Sequence, residues 1–199
     1  MGELLNKRRI ETAQRTEALR DKLARAEELC GETACVYMTG SFGRGQASAH
    51  SDLDLFIVGQ GTHEVPALSR LNQILVKAEL IEASRNLGFP DFSGDGEYLI
   101  HHTLEDLLVT LGKPEDDANN TFTARLLLLL ESTPLIGAPA YHRIVDDVIA
   151  SYWRDYQDNK ANFNPAFLAN DILRMWRTFC VSMRRGRRAF RQSEKPNEA

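Results

Sequence analysis

Hydrophobic and polar positions along the first ninety residues alternate between helical and strand-like patterns. Residues 3–30 are rich in Leu, Ala, Glu, Lys and Arg and contain no Pro or Gly before Gly31, which predicts a helix. Short β-prone runs at 34–38 and 53–58 predict two strands. Apolar residues at helical spacing predict a further helix over 66–88, which has Pro near its start and Gly at its end.

The rest of the chain has a different pattern. A third strand is expected at 97–102, and the polar, turn-like segment 113–120 interrupts a series of predicted helices at 103–111, 121–132, 138–158 and 164–185. Strands are therefore expected only in the first half of the chain and only helices in the second. This order predicts an α+β fold, in which a small mixed β-sheet lobe is followed by a C-terminal α-helical bundle.

These elements suggest three parts of the chain. The sheet lobe with its N-terminal helix is predicted to occupy 1–112, and the helical domain 113–185. Residues 186–199 form a basic tail, which we expect to be a flexible terminus.

A glycine-rich turn follows the first predicted strand in the sequence "GSFGRGQASAHSDLD", residues 40–54. Gly40 permits a sharp turn and a close backbone approach. N–H groups at the start of a helix, together with the Ser41 hydroxyl, can donate to phosphate oxygens, and Arg44 adds positive charge. The turn is therefore a candidate binding site for a phosphate group.

Two aspartates stand one residue apart at the start of the second predicted strand. Side chains alternate across a strand, so Asp52 and Asp54 project from the same face, with Cα atoms about 6.6 Å apart at a rise of about 3.3 Å per residue. Carboxylates this close repel each other unless a cation lies between them. Oxygen ligands suit Mg²⁺ or Mn²⁺. Beside a phosphate-binding turn, the pair predicts a metal-assisted site for a nucleoside triphosphate.

The stretch "GSFGRGQASAHSDLDLFIV" resembles the signature of the polymerase-β-like nucleotidyltransferase superfamily. The positions that match are Gly40, Ser41, Gly45, Asp52 and Asp54. The Gly-Arg-Gly and Ser-Asp-x-Asp-Leu forms resemble the protein-modifying branch that includes the PII uridylyltransferase and glutamine-synthetase adenylyltransferase. The segments "DDANNTFTARLLLLLES" and "NDILRMWRTFC" resemble the helical part of a group of bacterial nucleotidyltransferases without an established substrate.

The resemblance implies a role for each residue type. Asp52 and Asp54 would be catalytic and hold Mg²⁺ or Mn²⁺, and the residues expected to bind the nucleotide are Gly40, Ser41, Arg44, Gly45 and Ser51. A third acid normally lies on a neighbouring strand in this superfamily. The candidates are Asp91, Asp95 and Glu97, and we prefer Glu97, as both catalytic residue and metal ligand, because it lies at the start of the predicted third strand.

The implied reaction transfers a nucleoside monophosphate from ATP or UTP to a hydroxyl acceptor, for which a protein side chain is one candidate. The usual third aspartate, flanked by apolar residues within a strand, is missing from this sequence. The alternative is therefore a catalytically weak, nucleotide-binding regulatory or antitoxin-like module that acts through a protein partner.

Several other polar residues have two interpretations. Arg125 lies in an apolar helix and needs a partner, for which Glu131, Asp116 or Asp117 could serve, or it contacts a phosphate or base. A polar stripe on one helix face either lines a cleft or is solvated with an internal Asp171–Arg174 pair; it consists of Asn170, Asp171, Arg174 and Arg177. His101 and His102 are expected to point to opposite faces of a strand, one exposed and one partly buried.

Composition and charge limit the class of protein, its expected compartment and its expected partners. The chain has 199 residues and a net charge of −4. Its hydrophobic fraction of 43% and its charged fraction of 26% are typical of globular proteins. The charged N-terminus does not resemble a secretory signal, no run is long enough to span a membrane, and three cysteines suggest reduced thiols in the cytoplasm. Residues 184–199 carry six Arg or Lys against two Glu, the only feature that favours nucleic acid, and the acidic remainder disfavours it.

Overall fold

The computed structural model describes residues 2–92, 96 and 99–193. The chain forms two compact units, Met1–Ser151 and Tyr152–Ala199. The predicted domain boundary between residues 112 and 113 lies within the first unit and stays a prediction.

The first unit carries a four-stranded sheet and most of the helices. Its strands are β1 (Ala34–Met38), β2 (Leu55–Gly59), β3 (His101–Thr103) and β4 (Thr133–Ile136). Over the described residues of both units, the helices in chain order are α1 (Gly2–Lys22), α2 (Ala24–Cys30), α3 (Gly40–Gly43), α4 (Arg70–Asn86), α5 (Leu104–Val109), α6 (Glu115–Ala118), α7 (Thr121–Glu131), α8 (Ala138–Tyr152) and α9 (Ala166–Ser193).

The sheet is mixed, with the strand order β3-β2-β1-β4. β1 pairs antiparallel with both β2 and β4, whereas β3 runs parallel to β2. Together with the helices of the C-terminal half, this sheet confirms the predicted α+β class.

Both faces of the sheet are covered, which explains why β1 and β2 are continuously apolar rather than alternating. On one face Val36 and Ile57 pack into a cluster with residues of the N-terminal helices and α4. On the other, the rings of Tyr37 and Phe56 stack 5.4 Å apart, and the Tyr37 hydroxyl donates to the Ala124 carbonyl of α7 at 2.9 Å. Strand β1 is therefore the centre of the core and holds α7 against the sheet.

The strand predicted at 34–38 is confirmed, but several boundaries differ. The long N-terminal helix is divided at the buried Leu23, and the helix predicted from residue 66 begins at Arg70, where the Ser69 hydroxyl accepts from the Asn72 N–H at 3.2 Å. Strand β2 begins at Leu55, so that Asp52 and Asp54 lie just before it. Of the strand predicted at 97–102, residues 97 and 98 lie outside the described residues.

The prediction that the second half contains only helices is wrong, because β4 adds a strand to the sheet. Its sequence, Thr-Pro-Leu-Ile, is short and includes Pro134, which lacks a backbone N–H. Proline is accepted on edge strands, and β4 lies at the edge of the sheet beside β1.

Arg125 on α7 pairs with Asp116 on α6, one of the three partners predicted for it. Both side chains have zero exposure, and the guanidinium donates to the two carboxylate oxygens at 2.9 and 2.7 Å. Hydroxyl groups of Thr110 and Thr121 lie 3.2 and 2.8 Å from Asp116 Oδ1. This network fixes the N-terminal half of α7.

His101 and His102 point to opposite faces of β3, as predicted, but neither is fully exposed. His101 is partly buried, and His102 is buried and lies 6.3 Å from the Phe56 ring between ring centroids. Burial lowers both pKa values, that of His101 to about 4, so both rings are neutral at pH 7. The difference from the prediction arises because β3 is covered on both faces.

In the second unit, Asp171 and Arg174 form the predicted pair within α9, with Nη1 and Oδ1 3.2 Å apart. The Tyr152 hydroxyl donates to the other Asp171 oxygen at 2.7 Å, and Asn170 and Arg177 are exposed. Over the part of the chain that the structure describes, no helix combines the length and apolar character needed to cross a bilayer.

Candidate active site

A cavity of about 360 Å³ opens at the ends of β1 and β2, and its lining includes Thr39, Gly40, Asp52, Asp54 and Glu131. Because the two strands are antiparallel and Met38 pairs with Leu55, the residues after β1 lie beside those before β2. The Thr39 N–H donates to the Asp54 carbonyl at 2.9 Å and extends this pairing by one step. The sheet thus brings the glycine turn and the two aspartates together, as the sequence predicted.

Gly40 is required by the close approach of the turn to Asp54. Its φ is +61°, in the left-handed region, and a Cβ atom there would lie 2.5 Å from Asp54 Oδ2. No residue with a side chain fits at this distance unless Asp54 moves. The glycine therefore allows the N–H groups of the turn and the carboxylate to share one side of the cavity.

The aspartates place excess negative charge at the cavity. Partial burial raises the pKa of Asp54, and the nearby carboxylates of Asp52 and Glu131 raise it further, while the Arg44 guanidinium acts in the opposite direction. Each of these anions is therefore held close to others, an arrangement that a divalent cation would relieve.

The other predicted nucleotide-binding residues lie around the turn rather than among the cavity's described lining residues. The Ser41 carbonyl accepts from the Gln46 N–H at 2.7 Å, and Gly45 has a φ of +66°. The Ser51 hydroxyl accepts from the Ser48 N–H at 2.8 Å, which shapes the loop leading to Asp52. Their roles toward a nucleotide stay predictions.

Of the three candidates for the third acid, only Asp91 belongs to the described residues. It lines the cavity, but its carboxylate is 76% exposed and pairs with Arg85 Nε at 3.0 Å. Glu97, the preferred candidate, and Asp95 lie outside the described residues.

Glu131 is an acid of the cavity that the sequence analysis did not assign to the site. It is the last residue of α7, its Oε1 accepts from the Gly40 N–H at 3.1 Å, and its Oε2 forms an ion pair with Arg44. Gly40 and Glu131 are 91 residues apart in sequence, so no local pattern indicates their contact. Strand β4 begins two residues after Glu131 and pairs with β1, so a prediction of β4 would have placed Glu131 near the glycine turn.

The end of α7 is held tightly against α3. A Cβ on Gly43 would lie 1.9 Å from the Glu131 carbonyl oxygen, so the backbones touch there. The Thr133 hydroxyl donates to the Gly43 carbonyl at 3.0 Å. These contacts place the Glu131 side chain at the glycine turn.

The donor set suits a hard cation that also takes ligands from its substrate. Within residues 2–92, 96 and 99–193, no three His, Cys, Asp or Glu side chains are grouped as a ready-made metal site. Mg²⁺ commonly uses one or two carboxylates together with phosphate oxygens and waters. Asp52 and Asp54 fit that role.

Comparison with known proteins agrees with this geometry. The family model described as "Nucleotidyltransferase domain" matches residues 18–101, which include the glycine turn and both aspartates. The comparison with curated proteins found no match. Among solved structures, a chain from "Crystal structure of the toxin-antitoxin with AMP-PNP" is similar with a TM-score of 0.38 and 12% identity, over 77% of this chain and 98% of that chain. Residues 18–101 thus match a nucleotidyltransferase domain, and they contain the motif that resembles the polymerase-β-like superfamily.

Proposed function

We propose that this protein is a Mg²⁺-dependent nucleotidyltransferase that transfers a nucleoside monophosphate from a nucleoside triphosphate to a hydroxyl acceptor. The observation that carries the proposal is the arrangement of Gly40, Asp52 and Asp54 around one cavity, within the segment that matches the nucleotidyltransferase family. The family match supports the reaction class, and the finer assignments below rest on the site's chemistry.

Asp52 and Asp54 would hold the metal ion. The raised pKa of Asp54 supports this assignment, since its cause includes a neighbouring carboxylate that a cation would neutralise. When bound, Mg²⁺ or Mn²⁺ supplies positive charge for the triphosphate and its developing leaving group.

The turn would orient the triphosphate. The Gly40 N–H and the Ser41 hydroxyl are donors for phosphate oxygens, and the Arg44 guanidinium, 45% exposed and paired with Glu131, adds positive charge beside them. Gly45 and Ser51 shape the loop around these donors. Positioning and charge neutralisation then supply most of the acceleration.

The chemical step transfers one group. The acceptor oxygen attacks the α-phosphorus, the bond from that phosphorus to the bridging oxygen of the β-phosphate breaks, and pyrophosphate leaves with the bond's electrons. A third acid takes the acceptor's proton, and Glu97 remains our assignment, with Asp91 and Asp95 as the alternatives. ATP or UTP is the expected donor, and a protein hydroxyl, such as that of tyrosine, is the expected acceptor.

The test incubates the protein with each α-³²P-labelled nucleoside triphosphate and Mg²⁺ or Mn²⁺, with and without cell lysate. A variant with Asp52→Asn and Asp54→Asn serves as the inactive comparison, and Glu79→Gln, which changes an acid of α4 away from the cavity, controls for a general loss of charge. We expect label in a protein, RNA or small-molecule acceptor with wild-type protein and Glu79→Gln. The double variant is expected to transfer none.

A second function follows if transfer fails but binding does not. If the wild-type protein binds nucleotide in the presence of metal but transfers nothing, the favoured function becomes that of a regulatory or antitoxin-like module that acts through a protein partner. Transfer that persists in the double variant would refute the assignment of Asp52 and Asp54.

A further inference from the structure

An internal carboxylate lies at the donors that the proposed function assigns to phosphate. Glu131 Oε1 accepts from the Gly40 N–H at 3.1 Å, and Oε2 pairs with the Arg44 guanidinium. An N–H at a glycine turn combined with an arginine is the donor set that binds phosphate oxygens in proteins. The Glu131 carboxylate therefore stands where such an anion would bind.

The position of Glu131 is not explained by the stability of its own helix. It is the final residue of α7, where the partial negative charge of the helix dipole disfavours an acid. Its interactions are instead directed away from α7, to Gly40 and Arg44. The tight contact between the Glu131 carbonyl and Gly43 keeps the side chain at this place.

A buried hydroxyl beside the turn is available to a polar ligand. Thr39 is 1% exposed and lines the cavity, and no described residue forms a hydrogen bond with its Oγ1. Because Thr39 continues the alternation of Tyr37 on β1, its side chain lies on the face that α7 covers. Buried hydroxyls are seldom left without a partner, so this one is available to an incoming polar group.

We propose that Glu131 is an internal competitor for the phosphate site, and that a triphosphate must displace its carboxylate from Gly40 and Arg44 to bind. This inference rests on the proposed function and adds a residue that sets nucleotide affinity. Displacement transfers the Gly40 N–H and the Arg44 guanidinium from a carboxylate to a phosphate and brings a phosphate oxygen within reach of Thr39. Glu131 thereby weakens binding of every nucleotide, whatever its base.

The test measures binding of inorganic tripolyphosphate, and of each nucleoside triphosphate, in the presence of MgCl₂ by calorimetry. Tripolyphosphate examines the phosphate site without any base preference. The central variant is Glu131→Gln, which keeps the side chain's size and removes its charge. Its matched control is Glu79→Gln, since Glu79 is equally exposed (20% against 22%) and also pairs with an arginine, Arg25, at 3.2 Å.

We expect Glu131→Gln to bind both probes about tenfold more tightly than wild type, and Glu79→Gln to bind as wild type does. The gain requires Arg44, so Arg44→Gln and the double variant Arg44→Gln/Glu131→Gln should differ by much less than tenfold, as a double-mutant cycle detects. Thermal unfolding without ligand shows whether each variant is folded.

Three results would overturn the inference, and each has a different meaning. If wild type binds nucleotide and Asp52→Asn/Asp54→Asn does not, but Glu131→Gln binds no more tightly than wild type, the inference is wrong and the proposed function stands. Weaker binding by Glu131→Gln would make Glu131 a supporting residue of the site instead. If neither wild type nor Glu131→Gln binds tripolyphosphate or any nucleotide, both proposals fail.

Discussion

Replacing Gly40 with alanine separates the function of the turn from its contribution to stability. Gly40 has a φ of +61°, and the new Cβ would lie 2.5 Å from Asp54 Oδ2. Gly88 has a φ of +69° and no atom within 4 Å of a built Cβ, so Gly88→Ala has the same backbone strain without the collision. The two substitutions therefore form a matched pair.

The expected losses of stability and activity follow from the backbone strain and from the collision with Asp54. A left-handed alanine costs about 1–2 kcal/mol in either variant, which lowers Tm by roughly 2–8 °C for a chain of this size. In Gly40→Ala the Asp54 carboxylate must also move by about 1 Å to regain ordinary contact, and under the proposed function we expect a displacement of this size to cost about 10²-fold in rate. We expect Gly88→Ala to retain wild-type transfer activity within about twofold to threefold, as a substitution away from the site.

The assay is the rate of α-³²P transfer from the preferred nucleoside triphosphate, measured beside thermal unfolding of the same preparations. Similar losses of Tm with activity lost only in Gly40→Ala would support the argument. Full activity of Gly40→Ala would refute it, because the turn would then not need its close approach to Asp54. Equal losses of activity in both variants would refute it as well, since the effect would be one of stability alone.

Three further substitutions test the energetics around the site. Because the folded state raises the pKa of Asp54, its ionisation opposes folding. Asp54→Asn should therefore raise the free energy of unfolding at pH 7, and Tm with it, by at most about 1 kcal/mol, because solvent screens the charge. This gain should disappear as the pH falls below the unfolded pKa of about 3.9, and equal Tm gains at pH 7 and pH 3 would contradict it. Asp116→Asn removes the carboxylate charge that pairs with the buried Arg125 and should lower the free energy of unfolding by about 3–5 kcal/mol in urea denaturation. A loss below about 1 kcal/mol would contradict the role given to that pair. Thr103→Ala removes the hydroxyl that accepts from the Asp106 N–H at 3.1 Å at the start of α5, and should cost about 1 kcal/mol in the same assay, whereas an unchanged midpoint would show that this cap does not stabilise α5.

Local patterns were sufficient to predict the parts of the site that are close in sequence. The first strand, the glycine turn and the two aspartates lie within residues 34–54. They are brought together by the antiparallel pairing of β1 and β2, which are consecutive strands along the chain. The partner of Arg125 was also within reach of sequence reasoning, because a buried guanidinium requires an acid and Asp116 is nine residues away.

Contacts between distant residues could not be predicted in the same way. Strand β4 has four residues, includes Pro134 and follows an apolar helix, so its pattern resembles a helix end more than a strand. Without β4 there is no reason to place the end of α7 at the turn, and the local sequence suggests Glu131 only as a partner for Arg125. The contacts of Glu131 with Gly40 and Arg44 thus depend on a strand pairing that the local sequence does not specify.

The central claim is that this site transfers the α-phosphorus of a nucleoside triphosphate with its nucleoside. The most direct measurement compares α-³²P- and γ-³²P-labelled forms of the same nucleotide in the transfer assay, with wild type and Asp52→Asn/Asp54→Asn in parallel. The account predicts that α-label alone reaches the acceptor, that γ-label leaves as pyrophosphate, and that the double variant transfers neither. Transfer of γ-label to the acceptor, or α-label transfer that survives in the double variant, would contradict it.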